Sequence, residues 1–253
     1  MFIAPIALFV LGAVVASFVG VLSGRLNTGQ SFLSGRSRCD ACNTPLHPFV
    51  LVPIISYAIS DGRARCCGAR VSLTSPVAEL LLGALFVLSY LTIGLTPALP
   101  LFLISLSMLL ALVLYDLSHH ILPTSFLALF VTASAASGFF LATSLSAFYS
   151  SFLTAFLIAM SLALVHLLSG GRAMGFADAP LSLGLALLVG DAALSGFVFS
   201  FWIGAVVGIF VLLRRPTGSR IGTEVPFAPF LAAGFLLAYF TQWNPFAILA
   251  VLP

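Results

Sequence analysis

Ala98-Leu99-Pro100-Leu101-Phe102-Leu103-Ile104-Ser105-Leu106-Ser107-Met108-Leu109-Leu110-Ala111-Leu112-Val113-Leu114-Tyr115-Asp116 decides how this chain folds. It runs without a charge from Ala98 to Tyr115 and then meets a carboxylate. At about 1.5 Å of rise per residue, such a helix crosses most of a hydrocarbon core of ~30 Å before reaching a group that wants water. The stretch is leucine-rich and lacks a period-two alternation, which favours a helix over a barrel strand.

The rest of the chain has the same character. Of 253 residues, 61% are hydrophobic and 7% charged, with a mean hydropathy of +1.20, a balance that no soluble globular domain shares. Disorder, collagen and coiled coil are excluded with it. Apolar spans are predicted at about 2–23, 77–95, 98–117, 121–143, 146–168, 179–194, 196–213 and 227–250, each near the length a crossing needs. Breakers stand at the junctions: Gly94 with Pro97, Pro123, Gly170-Gly171, Gly190, Gly196, and Pro226 with Pro229. The expected fold is therefore an all-α polytopic membrane protein of about eight transmembrane helices with one extramembrane cysteine loop. The expected organisation is a first helix at 1–23, a loop subdomain at 24–76 and a seven-helix membrane domain at 77–253.

The charges set the orientation. There is no lysine, and all ten arginines fall in the loops 24–76, 169–178 and 214–226, which alternation of the spans puts on one side. Loops rich in arginine stay cytoplasmic, so both termini are expected outside. A net charge of +3 spread this way is a topology signal and does not point to nucleic acid. The first span has no basic residue before it, and Arg25 follows it, so a retained helix is favoured over a cleaved signal peptide.

The loop 24–76 holds all four cysteines, Cys39, Cys42, Cys66 and Cys67. In a reducing cytoplasm structural disulfides are disfavoured, and Cys39-x-x-Cys42 followed by a second pair reads as a zinc knuckle arrangement. A loop with so few apolar residues builds little core, the usual setting in which a metal supplies folding energy. Adjacent cysteines differ in geometry from a two-residue spacer, and His47 is a substitute ligand; four unligated thiols are the plain alternative.

Seven acidic residues remain: Asp40, Asp61, Glu79, Asp116, Asp178, Asp191 and Glu224. Asp116 closes the third span and Asp178 opens the sixth, so alternation brings both to the cytoplasmic end. Two carboxylates in a partly desolvated site share a proton and supply one base and one acid, the pair that activates water against a peptide carbonyl. The plain alternatives are a helix cap at Asp178 and an interfacial residue at Asp116.

The surrounding motifs decide between them. Ser17-Phe18 with Arg25, Arg38-Cys39-Asp40-Ala41-Cys42, Pro53-Ile54-Ile55-Ser56-Tyr57, Cys67-Gly68-Ala69, Pro76-Val77-Ala78-Glu79-Leu80-Leu81, Asp116 through Pro123, Met174-Gly175-Phe176-Ala177-Asp178 and Val225-Pro226-Phe227-Ala228-Pro229-Phe230-Leu231-Ala232 follow one another in order. In this the chain resembles the type IV prepilin peptidases, membrane aspartyl proteases of bacteria. The resemblance implies that Asp116 and Asp178 are catalytic and that 77–253 is the peptidase domain. The expected substrate is a prepilin or pseudopilin in the lipid bilayer of the inner membrane, whose basic leader is cut at the cytoplasmic face. It further implies a tetracysteine zinc site at Cys39, Cys42, Cys66 and Cys67, and N-methylation of the new terminus from S-adenosylmethionine; no residue pattern here marks where that methyl donor binds.

The chain departs from the family pattern in four places. Ala177 replaces the second glycine of Gly-x-Gly-Asp, a change expected to be tolerated, and Ala179-Pro180 replaces Val-Lys after the aspartate. Ala64 stands where the second cysteine pair would begin, with Cys66 beside Cys67 instead, and Ser118 stands where a second acid often follows the first aspartate. His119 and His120 are read either as tuning Asp116 or as interfacial residues, and His166 as a bundle-facing polar residue with one hydrogen bond. Glu79 is expected to pair with an arginine or cap a helix, with methyl transfer as the alternative, and Asp191 to lie in a turn. The rival readings are a presenilin-like intramembrane protease, which lacks its Pro-Ala-Leu motif here, and a proton- or cation-coupled transporter, for which no internal repeat is found.

Overall fold

The computed structural model describes residues 3–26, 38–39, 41–45, 53–214 and 226–246. Asp40, His47, Glu224, Arg36, Arg215 and Arg220 lie outside the described residues. Within them the structure is helical, with two isolated backbone bridges and no strand. Two compact units divide at Leu95 and Thr96. The first contains α1 (Ile3–Arg25), the short α2 (Ile55–Ile59) and α3 (Thr74–Ile93). The second contains α4 (Ala98–His119), α5 (Thr124–Leu141), α6 (Leu145–Ser169), α7 (Asp178–Val189), α8 (Ala193–Arg214) and α9 (Ala228–Thr241).

Among the described residues, six helical segments are long and apolar enough to cross a membrane, the last running from Asp178 to Arg214 through α7 and α8, and α9 is a shorter apolar helix. On α6, Leu153, Phe156, Leu157, Met160, Leu164 and Leu168 all face outward. So wide an exposed apolar surface suits a helix solvated by lipid.

Since lipid is as apolar as leucine, these helices gain little by hiding leucine from it, and they associate where small residues let backbones touch. In the first unit α1 lies on α3 through Gly12 and Gly83: a Cβ on Gly12 would come within 2.8 Å of the Gly83 Cα and the Leu82 carbonyl oxygen. In the second unit α8 and α9 meet in the same way, with Gly196 against the Phe235 backbone and Gly234 against Ser200. The Ser200 hydroxyl donates to the Gly196 carbonyl at 2.8 Å and leans towards that of Leu231 on α9 at 3.3 Å.

Helix α4 is the most buried span, with Phe102, Leu106 and Leu112 almost wholly enclosed. It packs on α5 and α9, while α7 packs on α5, α6 and α9. The sixth span is shorter than the sequence suggests. It ends at Val189, followed by one 3-10 turn, Gly190–Ala192, because Gly190 adopts φ 58 and ψ −122, a conformation reserved for glycine. Gly196, the other candidate breaker, stays inside α8 and serves the contact with α9. Asp191 lies exposed in the turn, as expected. The last span stops at Thr241, where Gln242 takes a left-handed φ of 54 ahead of Asn244 and Pro245.

Gly12→Leu or Gly83→Leu forces α1 from α3 and is expected to cost about 1–3 kcal/mol, seen as a lower melting temperature in detergent. Gly20→Leu, whose Cβ would meet nothing within 4 Å, is expected to leave the melt unchanged.

Candidate active site

Asp116 sits in the last turn of α4 and Asp178 is the first residue of α7; they are 7% and 8% exposed. Helix α4 ends just beyond Asp116 because His120 turns left-handed, at φ 56, and its N–H bonds back to the Asp116 carbonyl at 2.8 Å. Three helix ends meet around the two acids. The backbone of Ala228, first residue of α9, lies beside the Asp116 carboxylate, and that of Gly175 lies beside the Asp178 carboxylate. Asp178 thus stands at the amino end of its own helix and Asp116 faces the amino end of α9, where exposed N–H groups and the helix dipole favour negative charge. The two carboxylates are near enough for their charges to interact. Oδ2 of Asp116 is buried and makes no hydrogen bond among the described residues.

The segment that delivers Asp178 is built by glycine and one histidine. Gly170 and Gly171 take φ 59 and 77, closing α6 and turning the chain back. Nδ1 of His166 hydrogen-bonds the Met174 carbonyl at 2.8 Å, and its ring meets Phe176 edge-on at 5.6 Å. The charge of His166 also reaches Asp178. His166 is half-exposed and makes the one hydrogen bond expected of it, to the Met174 carbonyl ahead of the Gly175-Asp178 turn; which group it would bond was not visible in the sequence. Of the paired histidines, His120 interacts with the charge of Asp116, while His119 stacks on Tyr115 at 4.2 Å. Ala228 was visible only as part of a motif, although Pro229 behind it marks a helix start, where N–H groups are free.

The departures from pattern have simple local explanations. Ala177 has φ −67 and ψ −17, ordinary helical values that demand no glycine. Pro180 falls in the first turn of α7, where its missing N–H is not needed. The Ser118 hydroxyl bonds to the Leu114 carbonyl of its own helix at 3.0 Å.

In the first unit the four cysteine sulfurs lie within 4.8 Å of one another, with separations of 3.7 Å for Cys39–Cys67, 3.3 Å for Cys42–Cys66 and 3.9 Å for Cys66–Cys67. Such a group can hold a metal ion. Two turns of the same design bring them together. In one, the Cys39 N–H bonds the Thr44 carbonyl and the Asn43 N–H bonds that of Cys39; in the other, Ala64 with Ala69 and Gly68 with Ala64 repeat both bonds. Asn43 and Gly68 occupy equivalent left-handed positions at φ 60 and 73, and each turn is closed by a bridge, Arg38 with Pro45 and Arg63 with Arg70. Ala64 is thus the counterpart of Cys39, and the missing thiol is supplied from two residues further on by Cys66. The hydroxyl of Thr44, with backbone help, holds the Cys42 thiol down at about 6, whereas sharing hydrogen bonds with Cys42 and then Cys39 pushes Cys66 up to about 12.

Glu79, 5% exposed, neither pairs with an arginine nor caps its helix among the described residues. It accepts the Ile54 N–H at 2.8 Å and the Ser75 hydroxyl at 3.2 Å, and so ties the turn before α2 to α3. Ile54 is held at φ 61, which a β-branched residue rarely adopts.

A multi-pass helical membrane protein with two buried carboxylates at converging helix ends is the class that fold and site define. A family model described as the bacterial peptidase A24 N-terminal domain matches residues 10–93. A Bacillus subtilis protein named prepilin leader peptidase/N-methyltransferase is 30% identical over 233 residues, 92% of this chain and 92% of its own. Proteins of the same name from Klebsiella pneumoniae and Myxococcus xanthus are each 34% identical, over 74% and 81% of this chain and 86% and 62% of theirs. No solved structure matches. The chain belongs to the prepilin leader peptidase/N-methyltransferase family, as its ordered motifs lead one to expect.

The pseudo-repeated turns make a specific prediction. Cys66→Ala is expected to lower the metal content of purified protein, measured by mass spectrometry of the elements, and adding Ala64→Cys, which restores the position equivalent to Cys39, is expected to recover it.

Proposed function

We infer that this protein cuts the leader from prepilin-like precursors and methylates the new N-terminus, with Asp116 and Asp178 as the catalytic pair. The observation that carries the peptidase reading is that two buried carboxylates from different helices share one electrostatic site while Oδ2 of Asp116 has no hydrogen-bond partner among the described residues. Two like charges in low dielectric favour a state with one proton between them. The ionised carboxylate then takes a proton from water as it attacks the scissile carbonyl, while the protonated one polarises that carbonyl. It afterwards gives its proton to the leaving amine. The backbone at Ala228 and Gly175, beside the two carboxylates, favours their ionised form through these transfers.

The family's names support a prepilin substrate, and the position of the arginines supports a site at the cytoplasmic face of the bacterial inner membrane. A precursor with an apolar helix in the bilayer and a basic leader in the cytoplasm meets the end of the bundle where Asp116 and Asp178 lie. For the cysteines the fitting ion is zinc: Zn–S bonds of about 2.3 Å set tetrahedral sulfurs about 3.8 Å apart, which the Cys39–Cys67 and Cys66–Cys67 separations of 3.7 and 3.9 Å match and the 3.3 Å of Cys42–Cys66 falls short of. Held by Cys39, Cys42, Cys66 and Cys67, zinc supplies folding free energy to a loop with little core.

Wild type, Asp116→Asn and Asp178→Asn in liposomes test the pair. Each variant is expected to lose at least about 10²-fold in leader cleavage with an unchanged melting temperature. Mass spectrometry of the wild-type product is expected to find its N-terminus one methyl group heavier. Folded variants that still cut at the wild-type rate would overturn the assignment.

A further inference from the structure

Asp178 is delivered by a turn that has little of its own to hold it. From Gly170 to Ala177 no side chain is buried, and three of the residues are glycines, which lose the most freedom on being fixed. A catalytic group displaced by about 1 Å forfeits much of its rate, so such a turn has to be fastened from outside itself.

His166, in the last turn of α6, meets this turn at both ends. At the near end its carbonyl accepts the Gly171 N–H at 2.9 Å and the Ser169 hydroxyl at 3.2 Å. A Cβ on Gly171 would stand 3.3 Å from Cε1 of the ring, so glycine lets the chain fold back closely over the imidazole. The Ser169 hydroxyl oxygen in turn accepts the Ala173 N–H at 3.3 Å. At the far end Nδ1 donates to the Met174 carbonyl at 2.8 Å, and the ring stands edge-on to Phe176 with centroids 5.6 Å apart. Met174 and Phe176 flank Gly175, whose carbonyl accepts the Asp178 N–H at 3.3 Å, and the Phe176 carbonyl accepts the Ala179 N–H at 3.2 Å. The imidazole therefore holds the residues on either side of the one from which α7 starts.

The bond to Met174 also persists through a change of charge. A carbonyl only accepts, so Nδ1 carries a hydrogen in either state of the ring, and Nε2 alone gains or loses a proton. The turn stays fastened whether the imidazole is neutral or charged.

We propose that His166 is a positioning residue for Asp178: by holding the Met174 carbonyl and the Phe176 ring, it fixes the turn that sets this carboxylate opposite Asp116. The proposal rests on the assignment of Asp178 to the catalytic pair made above. It predicts that the hydrogen-bond donor, rather than the ring or its charge, is what cleavage needs at this position.

Steady-state cleavage of a prepilin-like precursor by the whole protein in nanodiscs tests this with two variants. His166→Phe keeps a ring and removes the donor, whereas His166→Asn keeps a donor near the place of Nδ1 and removes the ring. His166→Phe is expected to lower kcat at least about tenfold with KM within about twofold of wild type, and His166→Asn to stay within about threefold of the wild-type kcat. Amide hydrogen exchange across residues 174–179 is expected to be faster in His166→Phe than in wild type or His166→Asn. A folded His166→Phe with the wild-type kcat, an equal loss in the two variants, a loss confined to KM, or unchanged exchange in a slow His166→Phe would each overturn the positioning role. Failure of His166→Phe to fold, with or without His166→Asn, would overturn it too, since the residue would then serve the fold alone. Asp178→Asn, run alongside, separates the two claims. If wild type does not cut, or Asp178→Asn cuts as fast as wild type, the catalytic assignment falls and this role with it. If Asp178→Asn is inactive and folded His166→Phe is not impaired, the role alone falls.

Discussion

Two carboxylates held together inside a helical bundle repel each other in a medium that screens poorly, and the second unit is organised around that cost. Asp116 and Asp178 come from helices far apart in sequence, and each is met by backbone N–H groups at a helix start or the turn before one. Such donors are fixed by the helices themselves and need no flexible side chain to hold them. With no lysine in the protein and no arginine near either acid among the described residues, backbone dipoles and the histidines His120 and His166 provide the compensation.

Bringing three helix ends to one point requires helices that approach closely where lipid offers no hydrophobic drive. Glycine meets that need at Gly184 against Phe130, at Gly138 against the Leu187 backbone and at Gly234 against Ser200. The short α7, broken at Gly190, lets Asp178 sit at a helix start inside the bundle while α8 continues in its own direction beside α9. The first unit solves a different problem. Its loop has little core, so paired turns, four cysteines and the Glu79 tether do what burial does elsewhere.

The fold class was legible because a bilayer imposes one length and one composition on every crossing, and the span around Ala98–Asp116 displays both. The ends of spans were less so. Gly190 and Gly196 look alike in sequence, yet one breaks a helix and the other packs it, since only tertiary contact distinguishes the two uses of glycine. The two aspartates stood out as charges at span ends, and so did the four cysteines. The supporting parts did not: Ala228 and Gly175 act through their backbones, which carry no residue-type signal, and His166 acts through a carbonyl eight residues away. The Cys66-Cys67 pair looked irregular in sequence because the matching position, Ala64, is identified by backbone hydrogen bonds.

The pH dependence of leader cleavage in liposomes tests the central claim most directly. If Asp116 and Asp178 act as one proton-sharing pair, the rate rises and falls with two apparent pKa values that belong to the pair, and replacing either residue with asparagine abolishes the whole profile. A rate that stays flat from acid to neutral pH, or a profile that persists in either variant, would contradict it.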